Sequence, residues 1–587
     1  MRRLLTFLGI LISLTLIYCT SKKGSELGQT PNPLAHLGEY KPVVGTYGGS
    51  LRLTTTSPPK TFNNLMAKET STTDITRWIF EGLTNQNGIT TKVEPWLAST
   101  WDISPDGLTY TFHLRKNVKW FDGKPFTSDD VVFTFNDLIF NEKIPSSSAD
   151  TFTIDGKRIE VIKVDDSTVK FKLATKFAPF LEAMGTAIYP KHKLESFVKE
   201  GTFASAWGVA TLPSEIVGTG PFMLDKYIAG QRVELKRNPN YWQKDDAGNV
   251  LPYLDGLEFT IVQNSDVELL KFKNDETDFY NLRGQDYPTL KPLEAEKNFT
   301  IYNAGPAFGS QFLVLNQNPG KNDKGNPYIP PHKLKWFTNV NFRKALAYVI
   351  DKQSIINIEL NGLGYDQWGP ESPSAGFFFA SNLSTYPYSL DKARELLKGE
   401  GFMDRNGDGV LEDKEGNQVE FVMITNADNT ERKGILEIIR KDFEKLGIKA
   451  HISLLEFNTI VSKLFNTYDW DIVLIGLTGG IEPHFGANIW KSEAHMHMWN
   501  PKQKEPATAW EKRIDEIFSQ GVQELDLSKR KKLYDEWQKI VSDNLPVIYT
   551  VLSASISALN NKYGNVYPTP FGGAFHNIER IYVKKKS

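Results

Sequence analysis

Ser104-Pro105-Asp106-Gly107-Leu108-Thr109-Tyr110-Thr111-Phe112-His113-Leu114-Arg115 and, after two residues, Val118-Lys119-Trp120-Phe121-Asp122-Gly123-Lys124-Pro125-Phe126-Thr127 set the architecture of this chain. Leu108, Tyr110, Phe112 and Leu114 alternate with Thr109, Thr111, His113 and Arg115. A period of two marks a strand with one buried face. His113 falls on the polar face and reads as solvated. Asp122-Gly123 is a turn signal. Thr127 then opens a helix, with Asp130 three residues on as in a capping box, ahead of Val131, Val132 and Phe133.

The same grammar extends in both directions. Gly48-Gly49-Ser50 is a turn entering the strand that begins Leu51-Arg52-Leu53. Asp155-Gly156 is a hairpin signal, and Val169, Phe171 and Leu173 alternate with Lys170 and Lys172. Phe342, Leu346, Val349 and Ile350 share one helix face. Ile435, Ile438, Ile439 and Leu446 share another, with Gly447 as the stop. Residues 507–543 read as two polar helices. Leu545 to Leu559 is apolar but carries a Thr and several Ser, which favours buried strands over a membrane span. Strands mixed with long helices predict α/β lobes. A chain of 587 residues exceeds what one hydrophobic core covers, so at least two domains are expected.

Composition excludes several classes. Hydrophobic residues at 40% and charged residues at 24% are those of a soluble globular body. A net charge of −2 with no basic domain excludes a nucleic-acid partner, and Lys584, Lys585 and Lys586 read as a solvated tail. The chain lacks G-x-S-x-G, H-E-x-x-H and phosphate-loop motifs, and its single cysteine, Cys19, leaves none in the body for thiol chemistry. An enzyme is not expected.

Cys19 has its own explanation. Arg2 and Arg3 precede an apolar run from Leu4 to Tyr18, too short to span a bilayer and suited to a signal peptide over 1–18. Leu16-Ile17-Tyr18-Cys19 resembles a bacterial lipobox, although Tyr18 replaces the usual small residue. Cys19 is therefore expected to carry a lipid into the bilayer. Residues 19–45, rich in Ser, Lys, Gly, Gln and Pro, form the expected flexible tether.

Two clusters point to metals. Asp404 to Glu415 fits the D-x-[DN]-x-[DN]-G-x₅-E calcium loop. Asp404, Asn406 and Asp408 offer side-chain oxygens, Val410 its carbonyl, Glu412 a water-mediated contact and Glu415 a bidentate carboxylate. A strand-like Glu420-Phe421-Val422-Met423-Ile424 follows, so any calcium is structural and no cofactor is required. His484, His495 and His497, interleaved with Met496 and Met498, supply imidazole and thioether donors for a transition metal.

Pro95-Trp96-Leu97-Ala98, the two opening blocks with Asp130-Val131, Gly218-Thr219-Gly220-Pro221-Phe222, Arg237-Asn238-Pro239-Asn240-Tyr241-Trp242, and Phe342-Arg343-Lys344-Ala345-Leu346-Ala347-Tyr348 with Ile350-Asp351-Lys352 together resemble the family 5 extracellular solute-binding proteins, the oligopeptide, dipeptide and nickel-binding group. The resemblance implies a two-lobed α/β periplasmic-binding-protein (Venus flytrap) fold with an extra third domain. It implies lobe 1 over 46–83, 214–304 and 549–587, the extra domain over 84–213, and lobe 2 over 305–548. It implies a monomer in the cell envelope, periplasmic or on the outer face of a bacterial membrane, that closes on a peptide or related small solute and serves an ABC permease. Members often bind the peptide ammonium with an aspartate in a G-W-x-x-D-like segment. Here the run is Gly476-Leu477-Thr478-Gly479-Gly480-Ile481-Glu482, with Leu477 in place of the tryptophan and Gly480 near the aspartate. Leu477, Thr478, Gly479, Gly480 and Glu482 are the expected ligand contacts; Glu482 is either the displaced ammonium partner or a solvent-facing loop residue. Sugars, opines and nickel complexes stay open as cargo. So does a metal-complex carrier or enzyme built on the three histidines.

Overall fold

The computed structural model describes residues 37–585. The expected signal peptide, Cys19 and the tether as far as residue 36 lie outside the described residues. Residues 38–45 do not behave as tether. Val43 donates its N–H to Asn565 at 2.9 Å, Tyr567 donates to the carbonyl of Gly38 at 2.5 Å, and the Tyr40 ring packs on Tyr567 at 5.3 Å. Polar composition concealed these anchors, which come from the far end of the chain.

The first lobe is built on a four-stranded sheet in the order Ser50–Thr55, Gly256–Ile261, Arg232–Arg237, Phe222–Ile228, its first pair parallel and the others antiparallel. A smaller sheet adds Phe279–Asn281 and Phe299–Pro306 on either side of Val551–Asn560. The quoted stretch lies in a separate antiparallel sheet of Ala98–Ile103, Thr109–Leu114, Thr168–Lys172 and Glu160–Asp165. Its alternation has the predicted result. Phe112 and Leu114 are buried, while His113 turns out to Asp102 at 2.8 Å. The capping box forms, with Thr127 donating to Asp130 Oδ2 at 3.0 Å. This inserted sheet shares one continuous core with the first lobe, from Leu51 through Phe112 and Phe171 to Leu257.

The second lobe is a five-stranded sheet ordered Lys449–Leu455, Glu420–Asn426, Ile472–Leu477, Ser310–Leu315, Val547–Tyr549. Its central strands are buried on both faces, and their sequence shows it. Leu313, Leu315, Ile472 and Leu474 pack beneath the helices Val340–Val349, Leu390–Glu400 and Thr430–Glu444. Phe312, Val314, Val473 and Ile475 pack beneath Ala509–Gln523 and Leu527–Asn544. Unbroken apolar runs follow from that double burial.

Several of the quoted sequence blocks meet at one place behind the first lobe. Buried Glu81 accepts from Trp96 Nε1 at 2.7 Å, Tyr241 Oη at 2.7 Å and Trp242 Nε1 at 3.1 Å. Gly220 lies so close to the carbonyl of Trp78 that a Cβ there would sit 2.4 Å from the oxygen. These residues fasten the inserted domain to the lobe.

Candidate functional site: the cleft between the lobes

The chain crosses between the lobes side by side at two places, Pro306 to Ser310 and Tyr549 to Val551. Thr550, fully buried, donates its N–H to Gln311 O at 2.9 Å, and Ala307 donates to Ser553 O at 3.0 Å. Paired extended crossings that share hydrogen bonds make a hinge that bends as a unit. Beside it, Thr56 bonds Asp428 at 2.6 Å and Ser265 donates its N–H to the carbonyl of Asp428 at 3.2 Å.

Away from the hinge the two bodies touch along further seams. Asn458 donates to Pro58 O at 3.3 Å, and Lys68 Nζ lies 5.5 Å from the Phe465 ring centre. From the inserted domain, Ala178 donates to Val522 O at 2.7 Å, Thr151 O accepts from His484 Nε2 at 3.0 Å, and Asp150 holds His495 Nδ1 at 3.0 Å. The lobes are thus in contact around the space they share.

Asp74 and Arg77, 3.9 Å apart, keep side-chain exposures of 60% and 54%, yet desolvation raises the Asp74 carboxyl and lowers the Arg77 guanidinium. The Arg77 guanidinium stacks on Trp78 at 4.4 Å, and the buried Nε1 of Trp78 has no partner among the described residues. In the second lobe, Arg432 is held by Gln311 Oε1 at 3.2 Å and Asn426 Oδ1 at 3.0 Å beneath Gly476.

The expected contact segment follows the strand Ile472–Leu477. Thr478 and Gly479 are exposed, and a Cβ on Gly480 would meet nothing within 4 Å. Gly479 packs on the carbonyl of Phe308, next to the hinge. Glu482 differs from both expectations for it. It is 7% exposed, pairs with Arg530 at 2.5 Å and accepts from the His484 N–H at 3.1 Å. Its burial comes from docking against the inserted domain, and its charge is matched by a residue forty-eight positions downstream.

The three histidines do not converge. His484 is directed to Thr151 O and His495 to Asp150, whereas buried His497 donates from Nδ1 to Ile489 O at 3.0 Å. Burial holds His484 down to about 4, so it is neutral. Each histidine is taken by a partner outside the trio, which is why a tight spacing gave no ligand set.

A model of the bacterial extracellular solute-binding proteins, family 5, matches residues 92–497. The chain is a family 5 solute-binding protein. A probable ABC transporter-binding protein of Deinococcus radiodurans is 29% identical over 554 residues, covering 90% of this chain and 91% of that one. The oligopeptide-binding protein AppA of Bacillus subtilis, solved with a nonapeptide, superposes with a TM-score of 0.79 at 24% identity over 92% of this chain and 100% of that one. The periplasmic binding protein MelB of Agrobacterium fabrum, solved with stachyose, gives a TM-score of 0.82 at 22% identity over 93% of this chain and 87% of that one. The last two likenesses establish the two-lobed fold.

In this family 5 protein the calcium-like loop is apart from the cleft. Asp404, Asp408 and Glu412 bring oxygens within 4.8 Å of one another, while Asp404 also accepts from the N–H groups of Gly407 and Gly409. Asn406 Nδ2 donates to Glu412, and Val410 donates its N–H to Asp408. The expected twelfth ligand is elsewhere: Glu415 is bonded to Lys335 on the helix Pro331–Thr338. A strand-like exit follows the loop, and nothing swings Glu415 back as an exiting helix would. The three converging carboxylates fit a divalent cation; the full set of six does not assemble. Asp74, Arg77, Trp78 and Arg432 were not singled out in sequence. The only local sign was a charged pair beside a tryptophan.

Proposed function

We propose that this family 5 protein is the extracytoplasmic substrate-binding component of an ABC importer, closing its lobes on a peptide or related small solute and delivering it to a membrane permease. The observation that carries the reading is the double-strand hinge itself, two neighbouring crossings in which buried Thr550 donates to Gln311 O and Ala307 donates to Ser553 O. Extended solutes are held between such lobes by main-chain and charged groups, and closure excludes bulk water. The relatives support peptide first: one neighbour holds a nonapeptide, and the ABC transporter-binding relative covers nearly the whole chain. Lobe assignments of 46–83, 214–304 and 549–587 against 305–548, with 84–213 as the third domain, belong to this reading, as does the lipid on Cys19. Mass spectrometry of solute retained through purification, with small-angle scattering on stripped and reloaded protein, tests it. A retained solute and a smaller radius on reloading are expected. No retained solute, and no contraction with peptide, sugar or metal-complex pools, would remove the proposal.

A further inference from the structure

The inserted domain meets the second lobe along a polar seam. Its helix Ser148–Phe152 packs on the second-lobe helix Ala487–Trp490. Asp150 Oδ2 accepts from the main-chain N–H of His495 at 3.1 Å, and Nδ1 of the His495 ring lies 3.0 Å from both carboxylate oxygens. Beside it, buried and neutral His484 donates from Nε2 to Thr151 O at 3.0 Å, with the Phe177 ring centre 5.3 Å from its own. A second group of bonds lies at the end of the helix Ala509–Gln523. Gln523 donates from Nε2 to Asp155 Oδ2 at 2.9 Å and accepts from the Thr175 hydroxyl, while Ala178 donates its N–H to Val522 O at 2.7 Å. These side-chain partners are 333 to 368 positions apart, so they meet only when the two bodies meet.

On its other side the inserted domain is continuous with the first lobe. Phe112, Phe171 and Phe180 share one apolar cluster with Leu51 and Leu257. Of the described second-lobe residues, that cluster takes in Val522 and, at its margin, Phe485. A shared core makes the inserted domain travel with the first lobe, whereas a seam made mostly of hydrogen bonds can part and re-form. Rotation about the paired crossings that separates the lobes therefore breaks the seam. We propose that the seam is a closure latch: Asp150, Asp155 and Thr175 on the inserted domain, with His484, His495 and Gln523 on the second lobe, hold the lobes shut through bonds that involve no solute. The inference rests on the solute-binding reading above and adds what sets the lifetime of the closed state. Bonds between protein groups favour closure whether the protein is empty or loaded. Solute then completes a closure the chain already favours, and it leaves no faster than the latch opens.

The test uses the full chain carrying Cys19→Ala, which removes its one cysteine. Solute-stripped protein is compared by small-angle scattering with the same chain carrying Asp150→Ala and Gln523→Ala. The doubly substituted protein should have the larger radius of gyration. Loaded with a degenerate tetrapeptide pool, it should release peptide about tenfold or more faster than the parent, the worth of the hydrogen bonds removed. Equal radii overturn the latch, and so do equal release rates. Failure of the parent to bind the pool overturns the peptide reading, and the radii then decide the latch alone. A second variant keeps the test open should the first not fold. Asp150→Cys with His495→Cys, bridged by a short reducible bis-methanethiosulfonate after loading, should hold its peptide until a reductant cuts the bridge. Release from the bridged protein at the unbridged rate overturns the latch, because solute then leaves without the seam opening.

Discussion

Lys352 donates from its buried Nζ to the main-chain carbonyl of Thr550, the residue at the middle of one hinge crossing. The same ammonium reaches Tyr549 O and, at 2.9 Å, Gln367 O, and lies 4.3 Å from the Trp368 ring centre. One side chain thereby ties a helix of the second lobe to the strand that leaves it.

Lys352→Met should lower stability by about 3 kcal/mol, since buried carbonyls lose their donor. Urea unfolding measures it. Burial brings Lys352 down to about 7 from 10.5. The folded state then binds fewer protons than the unfolded chain between those values, so its contribution is present above pH 10.5 and lost as pH falls through about 7. The stability gap between wild type and variant should widen as pH rises across that window. A flat gap would mean that the carbonyls keep the ammonium charged.

Glu81→Ala should strand the ring nitrogens of Trp96 and Trp242 and the Tyr241 hydroxyl, at a cost of about 3 kcal/mol or more. Burial raises Glu81 to about 7 from 4.5. A raised carboxyl contributes stability that is present below pH 4.5 and lost as pH climbs through about 7. Thermal melts across that range should show the wild-type advantage shrinking with pH. An advantage that grows instead would mean Glu81 stays ionised among its donors.

His495→Ala should leave the melting temperature unchanged and speed solute release by at most about fivefold, the worth of one exposed contact. The reason is its place on a seam, against Asp150 of the inserted domain. Stopped-flow release of retained solute measures the rate. Loss of nickel or copper binding in the variant would restore the metal reading of the histidines.

Calcium added to chelator-treated protein should raise the melting temperature, by mass action on the folded state. Asp404→Ala should abolish the rise, because Asp404 belongs to the converging trio. Glu415→Ala should preserve it, because Lys335 holds that carboxylate. The opposite pattern would mean that the loop rearranges to the twelve-residue geometry on binding.

Cys19→Ala should shift the protein from the detergent phase to the aqueous phase after Triton X-114 partitioning, as expected of a lipidated terminus. Unchanged partitioning would discard the lipid anchor.

The legible parts of this molecule are those decided within a few residues. Alternation placed Phe112 inward and His113 outward, and the capping box at Thr127 needed only Asp130. The cleft is decided at longer range. Glu482 is defined by Arg530, and the seam joins Asp150 to His495 across 345 positions. Arg77 advertises nothing in sequence; its desolvation comes from what packs around the end of its short helix. Motif spacing misled where a remote partner intervened, as Lys335 did for Glu415. Polar composition misled at residues 38–45, where Asn565 and Tyr567 provide docking.

Glu81 and its aromatic donors lie in the joint between the inserted domain and the first lobe, whereas Gly480 looks onto open space. A change at the joint strands buried donors and is penalised; a side chain at the open position meets nothing and costs the fold little. Diet and anatomy are thereby uncoupled. The joint at Glu81 thus marks the architecture, and it is silent about the cargo.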